Sequence, residues 1–358
     1  MRRVAALLCC CVFPVTPAPP RQVTTLAGNG KAGYSGDGDP SVKAQLSNPY
    51  GLVVGPDGAL YVCEVDNHVV RRIDLKTGKI GTAAGNARRG YSGDGGPALE
   101  ASLNQPYEVR FDRAGNMYFV EMQNHLVRRV DRRTSVISTV AGTGTAGFSG
   151  DGGAAVKAQL RQPHSIAFDP QGRLLICDIG NNRVRRVDLR TGVIETWLGT
   201  GERKPTPDGA EIAGTPFNGP RAIDLDPQGN VYLALREGNM VFMISPKSGR
   251  VHHIAGTGES GNTGDDGPAK LARLNGPKGI SYAPDGSLYL ADTENHTIRR
   301  IDLRKGVIAT VLGTGERGDG PESDPLKCRM SRPHGVFVDK RGVVYVGDSE
   351  AHRVRVLR

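Results

Sequence analysis

The chain has 358 residues, 5% of them aromatic and 23% charged, with 49 glycines and a formal net charge of +9. So many glycines with so few aromatics suit a turn-dense all-β chain, and no stretch keeps a 3.6-residue apolar period over the length of a helix. Of the six cysteines three fall within the first eleven residues; Cys63, Cys177 and Cys328 form neither a disulfide framework nor a metal-binding spacing.

Residues 1–20 open with Arg2 and Arg3, continue through an apolar stretch at 4–13 and end in a proline-rich tail. That order is the pattern of a secretory signal peptide, too short to span a bilayer, and implies export to a periplasmic or extracellular space. Residues 23–28, V-T-T-L-A-G, read as one short strand. From Pro49 the chain then repeats itself. Pro49, Pro106, Pro163, Pro220, Pro277 and Pro333 are separated by 57, 57, 57, 57 and 56 residues. A period of this length marks one supersecondary unit that buries its apolar faces against its neighbours.

The first unit shows the plan. Residues 51–54, 59–63, 68–75 and 79–84 are short apolar runs, divided by Pro56-Asp57-Gly58, a polar segment and Thr77-Gly78. These dividers are hairpin turns, since glycine readily takes the positive φ they require. The spacing predicts four antiparallel strands per unit and a six-bladed β-propeller over residues 21–358, with units starting near 49, 106, 163, 220, 277 and 333. Unit four departs from the others, with Leu235 in place of an acid, A-L-R-E-G-N-M-V-F-M in place of the usual third strand, and a distinct preceding loop at 202–217. Unit six ends on R-V-R-V-L, a third strand. Its fourth is expected from residues 22–28, which match I-S-T-V-A-G at 137–142 and would close the ring.

The segment A-D-T-E-N-H-T-I-R-R-I-D at 291–302, with variants near 66–74, 123–131 and 180–188, resembles the NHL repeat. The loop Y-S-G-D-G-G-P-A-L-E-A-S-L-N-Q-P at 91–106 resembles the version found in bacterial NHL proteins. The resemblance implies the six-bladed propeller and a ligand- or protein-binding role, with enzymes in some branches; fold alone does not choose between them.

Positions that repeat are expected to be structural. The arginine pairs at 71–72, 128–129, 185–186 and 299–300 should meet acidic or carbonyl partners between blades, and without clustered aromatics they do not make a nucleic-acid surface. His68, His125 and His296 should be structural as well. Asp37, Asp94, Asp151 and Asp266 in the Gly-Asp-Gly loops offer too few oxygens for calcium and are expected to cap short turns.

Positions that vary carry the functional information. The residue after each opening proline is Tyr50, Tyr107, His164, Arg221, Lys278 and His334 in turn. These six should ring one mouth of the central channel and form a ligand site for an anionic small molecule or an acidic protein segment. Glu64, Glu121, Asp178, Leu235, Asp292 and Asp348 should lie beneath or beside them. The alternative is a metal-dependent lyase or hydrolase. In amidating lyases of the same propeller class, Pro-His motifs hold zinc, and Pro163-His164 and Pro333-His334 resemble them. Gluconolactonase-like propellers instead hold an axial divalent cation. Any cation here would use His164, His334, Asp178 and Asp348, but only two opposed histidines are present where zinc catalysis takes three protein ligands. The reading is therefore a non-catalytic, monomeric binding propeller with no cofactor, no nucleic acid and no membrane span.

Overall fold

A computed structural model describes residues 21–358; the expected leader lies outside them. Blade one consists of Pro49–Val54, Leu60–Glu64, Val69–Ile73 and Ile80–Ala84, antiparallel and paired in sequence order. The same meander recurs five times, with innermost strands Pro106–Phe111, Pro163–Phe168, Pro220–Leu225, Pro277–Tyr282 and Pro333–Val338. Blade six takes its fourth strand from Val23–Ala27, which pairs antiparallel with Arg353–Leu357 and closes the ring. Without it the outer edge of Arg353–Leu357 would be left unpaired.

Each blade is apolar on both faces, and the core lies between blades. Val120 and Val127 of blade two, for example, pack with Ile166, Leu174 and Ile176 of blade three, all of them fully buried. Burying such side chains contributes about 1.5–3 kcal/mol each. The innermost strands approach so closely that a Cβ on Gly335 would stand 2.1 Å from the Tyr50 carbonyl oxygen. Only glycine fits there, whatever its φ.

Two polar devices repeat with the blades. In the first, an arginine of the third strand is wholly buried between two acids. Arg71 donates to Glu64 at 2.9 Å and to Asp37 at 2.6 Å, and Arg128 does the same with Glu121 and Asp94, at 2.7 Å each. Arg185, Arg299 and Arg355 repeat the arrangement with Asp178 and Asp151, Asp292 and Asp265, and Asp348 and Asp319. One acid belongs to the arginine's own blade; the other sits in the loop arriving from the preceding blade. The loop aspartates are therefore ion-pair partners and not turn caps: the short helical turns such as Ser41–Lys43 and Ala98–Glu100 have no side-chain cap. In blade five the partner is Asp265, one residue before the expected Asp266. The second arginine of each pair is a surface residue, as with Arg72 on Asp57. In blade four Leu235 and Phe242 stand at the acid and arginine positions, both buried in one apolar cluster.

The second device joins neighbouring blades. His68, in left-handed backbone at φ 56°, accepts the backbone N–H of Gln105 at its Nδ1, 3.2 Å away. His125 accepts from Gln162, His296 from Arg332 and His352 from Asn48. Where blades three and four have no histidine, Asn182 and Asn239 accept the N–H of Gly219 and Gly276 through their amide oxygens. The six contacts run round the whole ring, and the structural role expected for His68, His125 and His296 is what is found.

Two predictions follow from these devices. Arg128→Met leaves Glu121 buried and unpaired, and should cost about 3–5 kcal/mol in equilibrium unfolding. Adding Glu121→Gln, which keeps an oxygen for the Asn104 N–H, should recover most of that loss, as the Leu235–Phe242 pair of blade four already implies. The latch histidines must be neutral to accept a hydrogen bond. Burial holds His68, His125, His296 and His352 below their ordinary 6.5. The folded state then binds fewer protons than the unfolded, so stability is present above about pH 6.5 and is lost as pH falls through the depressed values. Melting temperatures measured between pH 7.5 and 5 should drop, and the fourfold His→Asn variant should flatten that slope.

Candidate functional site

The innermost strands all run the same way, so the residues following the opening prolines meet at one mouth of the channel. Tyr50, Tyr107, His164, Arg221, Lys278 and His334 all line a single pocket of about 460 Å³ there. The sequence spacing therefore located the ring. Within it four rings form a continuous aromatic run. The His334 imidazole stacks on Tyr50 at 3.9 Å and 7°, Tyr50 meets Tyr107 edge-on at 4.7 Å, and Tyr107 meets His164 at 4.5 Å.

Both histidines are held neutral and oriented. His334 Nδ1 is 2.8 Å from the Arg332 carbonyl oxygen, and His164 Nδ1 is 2.6 Å from that of Gln162. A carbonyl only accepts, so Nδ1 carries the proton and Nε2 is left as an acceptor. Burial drives both imidazoles well below the ordinary value, with Lys278 and Arg221 adding to the effect at His334.

The two cations of the ring are unlike each other. Lys278 Nζ donates to Glu294 at 2.6 Å and to His334 Nε2 at 3.4 Å. Burial lowers its pKa to about 8, against the opposing hydrogen bond to Glu294. Arg221 is 7% exposed and lies over the Tyr107 ring, its carbon 4.8 Å from the centroid. Its hydrogen bond goes to the Tyr107 hydroxyl, and among the described residues no carboxylate lies within ion-pairing distance of it. Burial raises the Tyr107 phenol, while Arg221 draws it back down. At the far mouth Arg110 is neutralised from within, donating to Glu108 and facing Asp224.

The acids expected beneath the ring do not line the pocket. Glu64, Glu121, Asp178, Asp292 and Asp348 are fully buried and turned into their blades toward the repeat arginines. The set His164, His334, Asp178 and Asp348 is accordingly not assembled: Asp178 is held by Asn181, the Arg161 N–H and Arg185, and Asp348 by the Ser331 N–H and Arg355. Among the described residues no three His, Cys, Asp or Glu side chains are grouped to hold a metal ion.

Several rim residues escaped the sequence reading. Arg203, Arg236, Arg332, Asp66 and Glu237 also border the pocket, giving it five cationic and two acidic side chains with Arg221 and Lys278. Arg332 is gripped by Glu294 through two hydrogen bonds and by Glu350. Arg332 immediately precedes an opening proline, and Arg236 follows the acid position. Both are sites that differ between blades, so the signal was available just before the opening proline and just after the acid position.

Comparison with known proteins fits this architecture. A family model described as NHL repeat matches residues 160–187 and 330–357, and one described as Teneurin NHL domain matches 251–330. NHL repeat-containing protein 2 of Gallus gallus is 29% identical over 328 residues, covering 83% of this chain and 44% of that protein. Protein SUPPRESSOR OF QUENCHING 1, chloroplastic, of Arabidopsis thaliana is 28% identical, covering 83% and 29%. The chain thus spans less than half the length of either relative. Among solved structures, an auxiliary nutrient binding protein from Bacteroides thetaiotaomicron superposes with TM-score 0.67 at 18% identity, covering 94% of this chain and 76% of that one. Virginiamycin B lyase from Staphylococcus aureus superposes with TM-score 0.57 at 15% identity, covering 94% and 99%. At these identities the likeness is one of fold. No helix among the described residues is long and apolar enough to cross a membrane.

A buried cation without an anion costs stability. Arg221→Met should therefore raise the midpoint of denaturant unfolding, whereas Arg128→Met lowers it. An equal loss in both would show that Arg221 is structural.

Proposed function

The chain is an NHL-repeat propeller, and on that premise we propose that it is a non-catalytic binding protein whose channel mouth takes an anionic ligand. One observation carries the reading: among the described residues the buried guanidinium of Arg221 has no carboxylate partner, whereas the five repeat arginines and Lys278 each have at least one. A planar, always-charged donor fork held in a partly dry pocket is matched to carboxylate or phosphate. Partial exclusion of water strengthens the pairing relative to an exposed ion pair. Tyr50, Tyr107 and the two imidazoles present flat faces and acceptors to the rest of the molecule.

The ligand is thus a small acid, an acidic sugar or an acidic protein segment. Export, as the leader pattern implies, would place the pocket where such solutes are collected, and the nutrient-binding proteins of the same fold support that setting.

Calorimetry with glucuronate, succinate and inorganic phosphate, against glucose as the neutral control, tests the reading. The parent should bind at least one anion and ignore glucose. Replacing Arg221 by Met should weaken that binding roughly tenfold to a hundredfold, the value of a charge-assisted hydrogen bond. Affinity should also fall as pH rises through about 8, where Lys278 loses its positive charge. If parent and Arg221→Met bind every anion equally, or ignore them all, the pocket is not an anion site.

A further inference from the structure

Lys278 supplies the ring's one primary amine, and its surroundings are those of a reactive one. Its side chain is 2% exposed, yet it borders the 460 Å³ pocket. Two of the three ammonium hydrogens have partners, Glu294 at 2.6 Å and His334 Nε2 at 3.4 Å, which leaves the third direction for whatever enters. Glu294 does not belong to the lysine alone. Arg332 grips both its oxygens, and against the effect of burial those bonds keep it ionised, down at about 2. The imidazole beside the amine has its own proton fixed on Nδ1 by the Arg332 carbonyl, so Nε2 is a standing acceptor.

We propose that Lys278 is a nucleophile that captures small aldehydes or ketones at the channel mouth as a reversible imine. The neutral amine adds its lone pair to the carbonyl carbon, and the C=O π pair moves to oxygen. One proton passes from nitrogen to that oxygen, with His334 Nε2 placed to relay it, and a carbinolamine results. The nitrogen lone pair then forms C=N as the hydroxyl takes a second proton, ultimately the amine's remaining N–H proton passed on through His334 Nε2, and leaves as water, so that a neutral imine results. No oxidant or reductant takes part, and water reverses the sequence. Burial of the amine, which brings its pKa to about 8, supports the step by leaving a substantial neutral fraction near neutral pH. The assignment uses the same pocket as the proposed anion site but does not depend on the ligand's charge.

Reductive trapping on the full chain tests it. The protein is incubated at pH 7.5 with sodium cyanoborohydride and either glyoxylate, an anionic aldehyde, or propanal, a neutral one, and the labelled lysines are mapped by mass spectrometry. Lys278 should label at least about tenfold faster than exposed Lys204 and Lys327 in the same sample, because burial lowers its own pKa to about 8 and leaves more of it neutral. Its labelling rate should level off above about pH 8. Lys278→Arg should abolish that one site and leave the other lysines unchanged, and His334→Asn should slow labelling at Lys278. If Lys278 labels no faster than Lys204 and Lys327 with either aldehyde, the proposal is overturned. Fast labelling by propanal with no advantage for glyoxylate would uphold the imine and sink the anion preference instead.

Discussion

Everything about this ring depends on an arginine placed where water cannot reach it. A guanidinium stripped of solvent is tolerated only when acids meet it, and Arg71, Arg128, Arg185, Arg299 and Arg355 each meet two. Because one acid comes from the second strand and the other from the incoming loop, each arginine fixes both the twist of its blade and the path of the connection above it. Tyr34, Tyr91 and Phe148 lie over three of these guanidinium groups, at about 5 Å from ring centroid to carbon. The acids are thereby withdrawn from the channel. What remains at the mouth is mainly basic and aromatic, with Asp66 and Glu237 as its two acids, so the character of the site follows from where the scaffold has spent its other carboxylates.

Blade four shows how far this rule can bend. With Leu235 and Phe242 the clamp becomes an apolar contact, and the adjoining rim changes with it. Arg236 and Glu237 pair at the surface, and Arg203 reaches the pocket edge from a loop that matches no other. The ring keeps its shape because the Asn182 and Asn239 contacts on either side need neither charge nor histidine.

The 57-residue period made the architecture legible, since a fixed spacing of prolines and turn glycines leaves one sensible packing. The six residues of the mouth could be found the same way, being the varying positions of a repeating frame. Other features depend on distances that no spacing reveals. The choice of Asp265 over Asp266 turns on which side chain of two neighbours faces inward. The inward turn of Glu64 and its counterparts depends on an arginine seven residues later across a hairpin. The contrast between Lys278 and Arg221 depends on where two equivalent glutamates turn: Glu294, sixteen residues beyond the lysine, meets it at 2.6 Å, whereas Glu237, sixteen beyond the arginine, pairs with Arg236.

Closure by Val23–Ala27 also has a temporal meaning. Its partner strand includes Arg355, whose side chain reaches back 330 residues to Thr25. At ordinary ribosomal speeds of about 5–20 residues per second, the two are made on the order of tens of seconds apart. Throughout that interval Val23–Ala27 has no partner strand, and the five blades that follow can form without it. Arg353–Leu357 is therefore the strand whose arrival completes the ring, which makes this a slow, high-contact-order finish to an otherwise local folding process. During biosynthesis the vulnerable edge is therefore that of Val23–Ala27.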